Sequence, residues 1–340
     1  MVRILLLLAS LLPALSPAET HRVVAKVYYR TFSRAHPPLA RLRPGDTVIT
    51  KTIDASGRDD QGVRRHEPSN PLTGPFYVEG AEPGDALLVR FERVRLNRNW
   101  GYSGYRLGLF SLTANYVEGL YPNRYKPNVA IEGRDNLVPW DLDLERNRVR
   151  LREPTSNRVK LDFPAKPMLG CVGVAPEGDF APTSSPSGSY GGNLDYNEIG
   201  EGATVILPVS HPGALLFIGD GHALQGDGEP TGNGIETSLD VEFTVEIRKK
   251  ARVTGPRVET AEYLISIGSQ PEFASSLDRA LQMATTDMVR WLVNEYRLEE
   301  WAAHLLIGYR GRYDVVTVAG SMALKIAKRD LPPPASGPGP

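Results

Sequence analysis

The feature that most constrains the fold is an alternation of apolar and polar residues near position 240. Across residues 239–248 every second residue is apolar, and the residues between them are charged or polar. This period of two is typical of a β-strand with one buried face. The 33 Gly and 28 Pro concentrate between such runs, as in proteins made of strands and long loops. We therefore predict a mainly β fold with a β-sandwich-like core.

Further runs of apolar and β-branched residues predict more strands. They cover residues 23–32, 46–53, 86–96, 204–209 and 214–218.

The pattern changes after position 270. Apolar residues recur at spacings of three and four across residues 273–292, and they include Leu281 and Met288. This spacing predicts an amphipathic helix. A second helix is predicted over residues 298–306, followed by a strand at 314–319. We expect this helical appendage to pack on the β core or to form a contact in a homo-oligomer, which makes the chain α+β overall.

The N-terminus is typical of a secretory signal peptide. Arg3 precedes an apolar run over residues 4–15, and small residues follow up to Ala18. The run is too short for a comfortable membrane span, although a retained anchor stays an alternative. We expect export to the periplasm or the medium, without stable insertion in a membrane after cleavage.

These patterns divide the chain into four segments. They are a signal peptide (1–18), a β-rich core (19–270), a helical appendage (271–330) and a disordered tail rich in Pro and Gly (331–340).

Charge and cysteine content exclude some functions. The 39 basic and 40 acidic residues give a net charge of −1, so no basic excess favours a nucleic-acid partner. The single Cys171 cannot form an internal disulfide. Because Cys171 lies in an apolar run, we favour a buried thiol over a nucleophile.

Residues 218–236 form the segment with the most chemistry. Glycines alternate there with acidic residues and with His222, the one histidine of six that has such neighbours. Glycine permits tight turns, and imidazole and carboxylates bind metals and transfer protons. The segment could hold a metal ion or a small polar ligand. The carboxylates nearest to His222 in sequence are Asp220, Asp227, Glu229 and Glu236.

A compact zinc motif is absent from the sequence, so a metal site must collect ligands from separate segments. Asp195 and Asp54 are the further candidates. One histidine with two or three carboxylates suits zinc or another divalent ion, calcium included. The alternative is that both aspartates cap turns.

Four blocks in collinear order resemble the acetamidase/formamidase family. They contain NPLTGPFYVEGAEPGD, MLGCVGVAP, GGNLD and GDGHALQGDGE, at residues 70–85, 168–176, 191–195 and 219–229. The resemblance spans residues 47–247. In this family a histidine often precedes the GGN block, where this chain has Tyr190.

The resemblance implies metal-assisted hydrolysis of small amides, such as formamide or acetamide, to ammonia and a carboxylate. A zinc ion held by Asp54, Asp195 and His222 would activate water. Glu229 or Glu236, with Asp227 nearby, would transfer protons. The candidate substrate-binding residues are Asn70, Trp100, Tyr190 and Asn193, and Tyr102 and Tyr105 could complete a pocket wall with Trp100.

Two alternatives to this function stay open. An exported binding protein could hold a polar ligand or calcium on the same scaffold without turnover. A lactam hydrolase could use the same site. Ammonia release would separate the first alternative from an amidase.

We predict that the exported protein begins near Glu19, because signal peptidase cleaves after small residues such as Ala18. N-terminal sequencing of secreted material checks this. Cytoplasmic protein that still starts at Met1 would contradict it.

Overall fold

A computed structural model of the protein describes residues 17–104, 107, 111–113, 115–116, 137–152, 157–269 and 276–334. Residues 1–16 of the predicted signal peptide lie outside this part of the chain. Within these residues the long α-helices are α1 (Leu277–Tyr296) and α2 (Glu300–Arg310), and Lys328–Asp330 form a short 3-10 helix. The strands are β1 (Thr20–Arg22), β2 (Ala40–Leu42), β3 (Thr47–Lys51), β4 (Leu72–Val78), β5 (Ala86–Leu96), β6 (Trp100–Gly104), β7 (Leu137–Asp143), β8 (Arg148–Leu151), β9 (Asp162–Pro164), β10 (Met168–Gly173), β11 (Ser187–Gly188), β12 (Gly191–Asn193), β13 (Thr204–Pro208), β14 (Leu216–His222), β15 (Leu239–Arg248), β16 (Arg257–Glu259), β17 (Tyr263–Ser269), β18 (Arg312–Thr317) and β19 (Ser321–Ala327).

The described strands form three sheets. The first has nine strands in the order β1-β3-β15-β5-β13-β16-β17-β19-β18. The second has six, in the order β11-β12-β10-β14-β4-β2, and the third has four, in the order β6-β7-β8-β9. The prediction of a mainly β fold is confirmed.

The nine- and six-stranded sheets pack face to face. Phe76 of β4 and Phe243 of β15 contact edge to face, with ring centroids 5.2 Å apart. Both belong to one buried apolar cluster that also contains Val89 and Ile218. The alternation in β15 follows from this packing, because its odd-numbered apolar residues face the second sheet while its polar residues stay partly exposed.

The helices cover the other face of the nine-stranded sheet. Met288 and Trp291 of α1 share a buried cluster with Ile206 and Leu264 of the sheet. Gly268 of β17 allows this close approach, since a Cβ there would lie 1.8 Å from the carbonyl oxygen of Ala280. The protein therefore has three layers, with the nine-stranded sheet in the middle.

The predicted helical appendage is joined to the β core through the middle layer. Strands β18 and β19 come from this segment, and β19 pairs with β17 over residues 321–327. Helix α1 begins after Ser276, whose hydroxyl accepts a hydrogen bond from the Arg279 amide, as an N-cap does. The start of the predicted helix, residues 273–275, lies outside the described residues.

Two predictions differ from the structure. Residues 23–32 form no regular strand, and Val24 and Val27 are 80% and 57% exposed. Tyr29 and Thr31 make isolated bridges instead. Leu281, predicted to lie on the buried stripe of the helix, is 36% exposed, because α1 turns Ala284 and Met288 towards the sheet.

Across the described residues, no helix combines the length and the apolar character that a membrane crossing requires.

We predict that Met288→Ala lowers the free energy of unfolding by about 2–5 kcal/mol, because it leaves a cavity between α1 and the sheet. Leu281→Ala on the same helix should cost much less, since Leu281 is partly exposed. Urea unfolding of both variants checks this. Equal losses would contradict the described orientation of α1.

Candidate active site

The site lies where β10, β12 and β14 run side by side. Leu169 pairs with Gly221 and Cys171 with Gly219, so Asp220 lies across from Gly170. The Gly170 carbonyl accepts hydrogen bonds from the amide of Leu194 at 2.8 Å and from that of Asp195 at 3.2 Å. The turn after β12 therefore brings Asp195 beside Asp220.

Gly170 leaves room for both carboxylates. A Cβ at this position would lie 2.5 Å from Asp195 Oδ1 and 2.6 Å from Asp220 Oδ2. Both aspartates also have positive φ values, 47° for Asp195 and 54° for Asp220, a conformation that Asp adopts more readily than most residues. Local backbone geometry and a missing side chain together allow two acidic groups to meet inside the protein.

Four acidic side chains surround one histidine, and we call these five residues the acidic cluster. Potential ligand atoms of Asp195, Asp220 and His222 lie within 4.8 Å of one another, as do those of His222, Glu229 and Glu236. His222 Nε2 is 3.1 Å from Glu236 Oε1 and 3.6 Å from Asp220 Oδ1. All five side chains are buried.

Gln225 fixes the orientation of the His222 ring. Its Nε2 donates to the Asp195 carbonyl at 2.6 Å, so its Oε1 faces His222 Nδ1, at 2.8 Å. An amide oxygen only accepts. Nδ1 therefore carries a proton, and Nε2 points its lone pair, or a second proton, at the carboxylates.

Two asparagines orient the two aspartates. Asn70 Nδ2 donates to Asp220 Oδ2 at 3.0 Å, and Asn193 Nδ2 donates to Asp195 Oδ2 at 2.5 Å. In each aspartate the second oxygen, Oδ1, has no hydrogen-bond partner among the described residues. Hydrogen bonds of this kind are typical around metal ligands, because they hold the carboxylate while one oxygen stays available.

Several polar atoms of the acidic cluster are buried without a hydrogen-bond partner among the described residues. They are Asp195 Oδ1, Asp220 Oδ1, His222 Nε2 and Glu236 Oε2. Although His222 Nε2 is close to Glu236 Oε1, the two are not aligned for a hydrogen bond. A buried unpaired polar atom is costly. Four of them within one buried cluster fit a bound cation, and the oxygen and nitrogen donors suit a divalent ion.

Among the described residues, no Lys or Arg forms an ion pair with the carboxylates of the acidic cluster. The described ion pairs of these carboxylates involve His222 alone. Burial, and then the Asp220 charge, raise the pKa of Asp195 to about 7, and burial raises the pKa of Glu236 to about 8. Burial lowers the pKa of His222, but Glu236 and Asp220 outweigh it, so this pKa lies well above its usual value. Without a cation, the cluster retains protons.

A cavity of about 270 Å³ opens beside the acidic cluster. Asp220, Glu229 and Glu236 line one part of it. The remaining lining residues are a mixture of polar, small, aromatic and aliphatic residues: Ala55, Ser56, Pro68, Asn70, Tyr102, Leu137, Asn193, Gly232 and Asn233. A small polar molecule therefore has access to the carboxylates.

The structure brings together most of the candidates that the sequence suggested. Asp195, His222, Glu229 and Glu236 lie in the acidic cluster. Asn70 and Asn193 line the cavity.

Four candidates lie elsewhere. Asp54 does not join the acidic cluster, because its buried carboxylate pairs with Arg98, Oδ2 to Nη2, at 2.7 Å. Asp227 is exposed and accepts a hydrogen bond from Asn197.

The two aromatic candidates, Trp100 and Tyr190, are absent from the described lining of the cavity. Trp100 stacks under the guanidinium of Arg98, 3.6 Å from its ring centroid. Tyr190 packs against Phe32 in the core, and its hydroxyl donates to the Pro186 carbonyl. Tyr105 lies outside the described residues.

Asp220 and Gln225 were not assigned roles from the sequence. Strand β14 extends to His222, four residues beyond the predicted end at 218. Residues two apart on a strand share a face, so the spacing of Asp220 and His222 would have placed both in the site. No sequence pattern indicates Gln225, because its hydrogen bond to the Asp195 carbonyl depends on the turn that follows β12.

Comparisons with known proteins identify the family of the chain. The model of the Acetamidase/Formamidase family matches residues 19–183 and 178–292. A Schizosaccharomyces pombe protein named as a provisional formamidase is 31% identical over 247 residues, or 58% of each chain. An acetamidase of Mycolicibacterium smegmatis is 28% identical over 208 residues, which cover 48% of this chain and 49% of that one. The chain thus spans about half to three fifths of these relatives.

A solved structure covers more of the chain. The acetamidase from Yersinia enterocolitica superimposes with a TM-score of 0.75 and 28% identity, over 93% of this chain and 94% of that one. The fold and the site define a mainly β protein with a buried acidic cluster beside a small cavity. The chain belongs to the acetamidase/formamidase family.

We predict that Gly170→Ala weakens the binding of a divalent ion on the order of 10- to 100-fold, because the new Cβ displaces Asp195 and Asp220. Gly226→Ala is the control on the neighbouring loop, since a Cβ there has no neighbour within 4 Å among the described atoms. Isothermal titration with zinc measures both. Equal affinities in the two variants would contradict the role of Gly170.

Proposed function

We propose that the protein hydrolyses small aliphatic amides to ammonia and a carboxylate with the help of a bound divalent ion. The observation that carries this proposal is the set of four buried, unpaired ligand atoms in the acidic cluster, next to a cavity of about 270 Å³. Membership of the acetamidase/formamidase family supports the choice of an amide as substrate.

Asp195, Asp220 and His222 would hold the ion. Each offers an atom without a hydrogen-bond partner, namely two Oδ1 atoms and Nε2, and Asn70, Asn193 and Gln225 already occupy the other polar atoms. Zinc suits one imidazole with carboxylates, and calcium is the alternative for an oxygen-rich set. A divalent ion bound there would lower the pKa of water and polarise a carbonyl group.

Glu229 and Glu236 would move protons. Both line the cavity and both are neighbours of His222, so a substrate in the cavity would be within their reach. One carboxylate accepts a proton from the attacking water, and that proton then passes to the nitrogen as the C–N bond breaks. The products are a carboxylic acid and ammonia, so atoms and charges balance.

The dimensions of the cavity favour short amides. A cavity of about 270 Å³ has room for formamide, acetamide or propionamide, and we expect peptides not to be substrates. In a hydrophobic pocket, one methylene group changes the free energy that discriminates between two substrates by only about 1–3 kcal/mol. We therefore expect graded rates along this series. A cyclic amide is the second candidate substrate class, and a protein that binds without turnover is the alternative outside catalysis.

We also propose that the reaction takes place after export. The basic and apolar start of the chain, residues 1–18, supports this location. A homo-oligomer likewise stays a prediction.

We predict that purified protein contains about one divalent ion per chain and that His222→Ala loses both the ion and the release of ammonia. The reason is that Nε2 of His222 is the one nitrogen ligand of the acidic cluster. His304→Ala is the matched control, since this histidine is 59% exposed on α2. Elemental analysis and an ammonia assay with formamide, acetamide, propionamide, a lactam and a tripeptide measure both properties.

Several outcomes would overturn the proposal. Full activity after exhaustive chelation would exclude the metal-assisted route. No ammonia from any amide with zinc, manganese or calcium added would favour the binding protein. Efficient cleavage of the tripeptide would contradict a substrate site limited to small amides.

A further inference from the structure

Tyr102 of β6 lies on the wall of the cavity and forms an isolated antiparallel bridge with Glu236. Their backbones exchange two hydrogen bonds, from Tyr102 N to Glu236 O at 3.2 Å and from Glu236 N to Tyr102 O at 2.7 Å. Residues paired in this way across an antiparallel bridge direct their side chains to the same face. Both side chains accordingly line the cavity.

The hydroxyl of Tyr102 is held in place but keeps a proton to donate. It accepts a hydrogen bond from the Ser56 amide at 3.0 Å. A tyrosine hydroxyl can accept and also donate one hydrogen bond, and the hydrogen bonds of the described residues include none that Tyr102 donates from its hydroxyl. Burial, with the charges of Glu236 and Asp54, raises the pKa of Tyr102 well above its usual value, so the proton stays on the oxygen.

A buried ion pair supports the turn that contains Ser56. Asp54 Oδ1 accepts from Ser56 Oγ at 2.8 Å and from the Arg58 amide at 2.9 Å. The other oxygen of Asp54 faces Arg98, and both side chains are almost completely buried. Arg98 also donates to the Trp100 carbonyl and stacks on the Trp100 ring. This network fixes the amide that orients the Tyr102 hydroxyl.

We propose that Tyr102 is a catalytic residue whose hydroxyl donates a hydrogen bond to the carbonyl oxygen of the bound amide, and that Asp54 and Arg98 are positioning residues acting through Ser56. The inference rests on the proposed amide hydrolysis. When water attacks the carbonyl carbon, the electron pair of the C=O π bond moves to oxygen. The Tyr102 hydrogen bond strengthens as that charge develops, while the proton stays on tyrosine.

The test compares Tyr102→Phe with the wild-type protein. We expect kcat for acetamide to fall about 10²- to 10³-fold, as when one donor to a developing oxyanion is removed. KM, metal content and melting temperature should change little. Tyr309→Phe is the control, since this tyrosine is 83% exposed on α2, and it should retain wild-type rates.

Thioacetamide separates a donor from a structural residue. Sulfur accepts hydrogen bonds weakly, so Tyr102→Phe should slow the hydrolysis of thioacetamide much less than that of acetamide. Equal losses on the two substrates, or an unchanged kcat, would overturn the proposal for Tyr102. If Tyr102→Phe fails to fold, 4-fluorophenylalanine at position 102 keeps the ring and places a fluorine, which cannot donate a hydrogen bond, where the hydroxyl was, and the same comparison applies.

The two proposals fail in different ways. A wild-type protein that releases no ammonia from any amide refutes the proposed function. An active wild-type protein whose Tyr102→Phe variant keeps its kcat refutes only the role of Tyr102.

Discussion

The structure depends on one electrostatic constraint: four carboxylates and one imidazole are buried together without a neighbouring Lys or Arg among the described residues. Such a group is costly to bury unless protons or a cation compensate its charge. Asn70, Asn193 and Gln225 bind selected atoms and leave others unpaired. The surrounding protein thus resembles the outer shell of a metal site more than an ordinary polar core.

Backbone packing makes this arrangement feasible. Gly170 and Gly234 lack the Cβ atoms that would contact the two aspartates and the His222 ring. The loop that carries Glu229 is bound by a residue of the C-terminal segment, since the Val318 amide donates a hydrogen bond to the Gly228 carbonyl at 2.8 Å. The turn between β18 and β19 therefore supports the site. The C-terminal segment contributes to the candidate active site as well as to the helical layer.

The fold was largely predictable because its signals are local. The alternation in β15 and the apolar spacing of α1 each report which face is buried, and burial follows from the order of the residues. Residues 23–32 and Leu281 differ from prediction because apolar character alone does not reveal whether a neighbour covers a side chain. Val24 stays exposed, and the sheet contacts a face of α1 centred on Ala284 and Met288.

The sequence alone determined the mainly β class, the family resemblance and the segment that holds His222, Glu229 and Glu236. Only the tertiary structure decided which distant residues complete the site. It brought Asp195 and Asp220 together across Gly170, and it paired Asp54 with Arg98 instead. The physical reason is that a carboxylate's role depends on its nearest charge and its burial, and both are set by strand register and turns rather than by sequence neighbours.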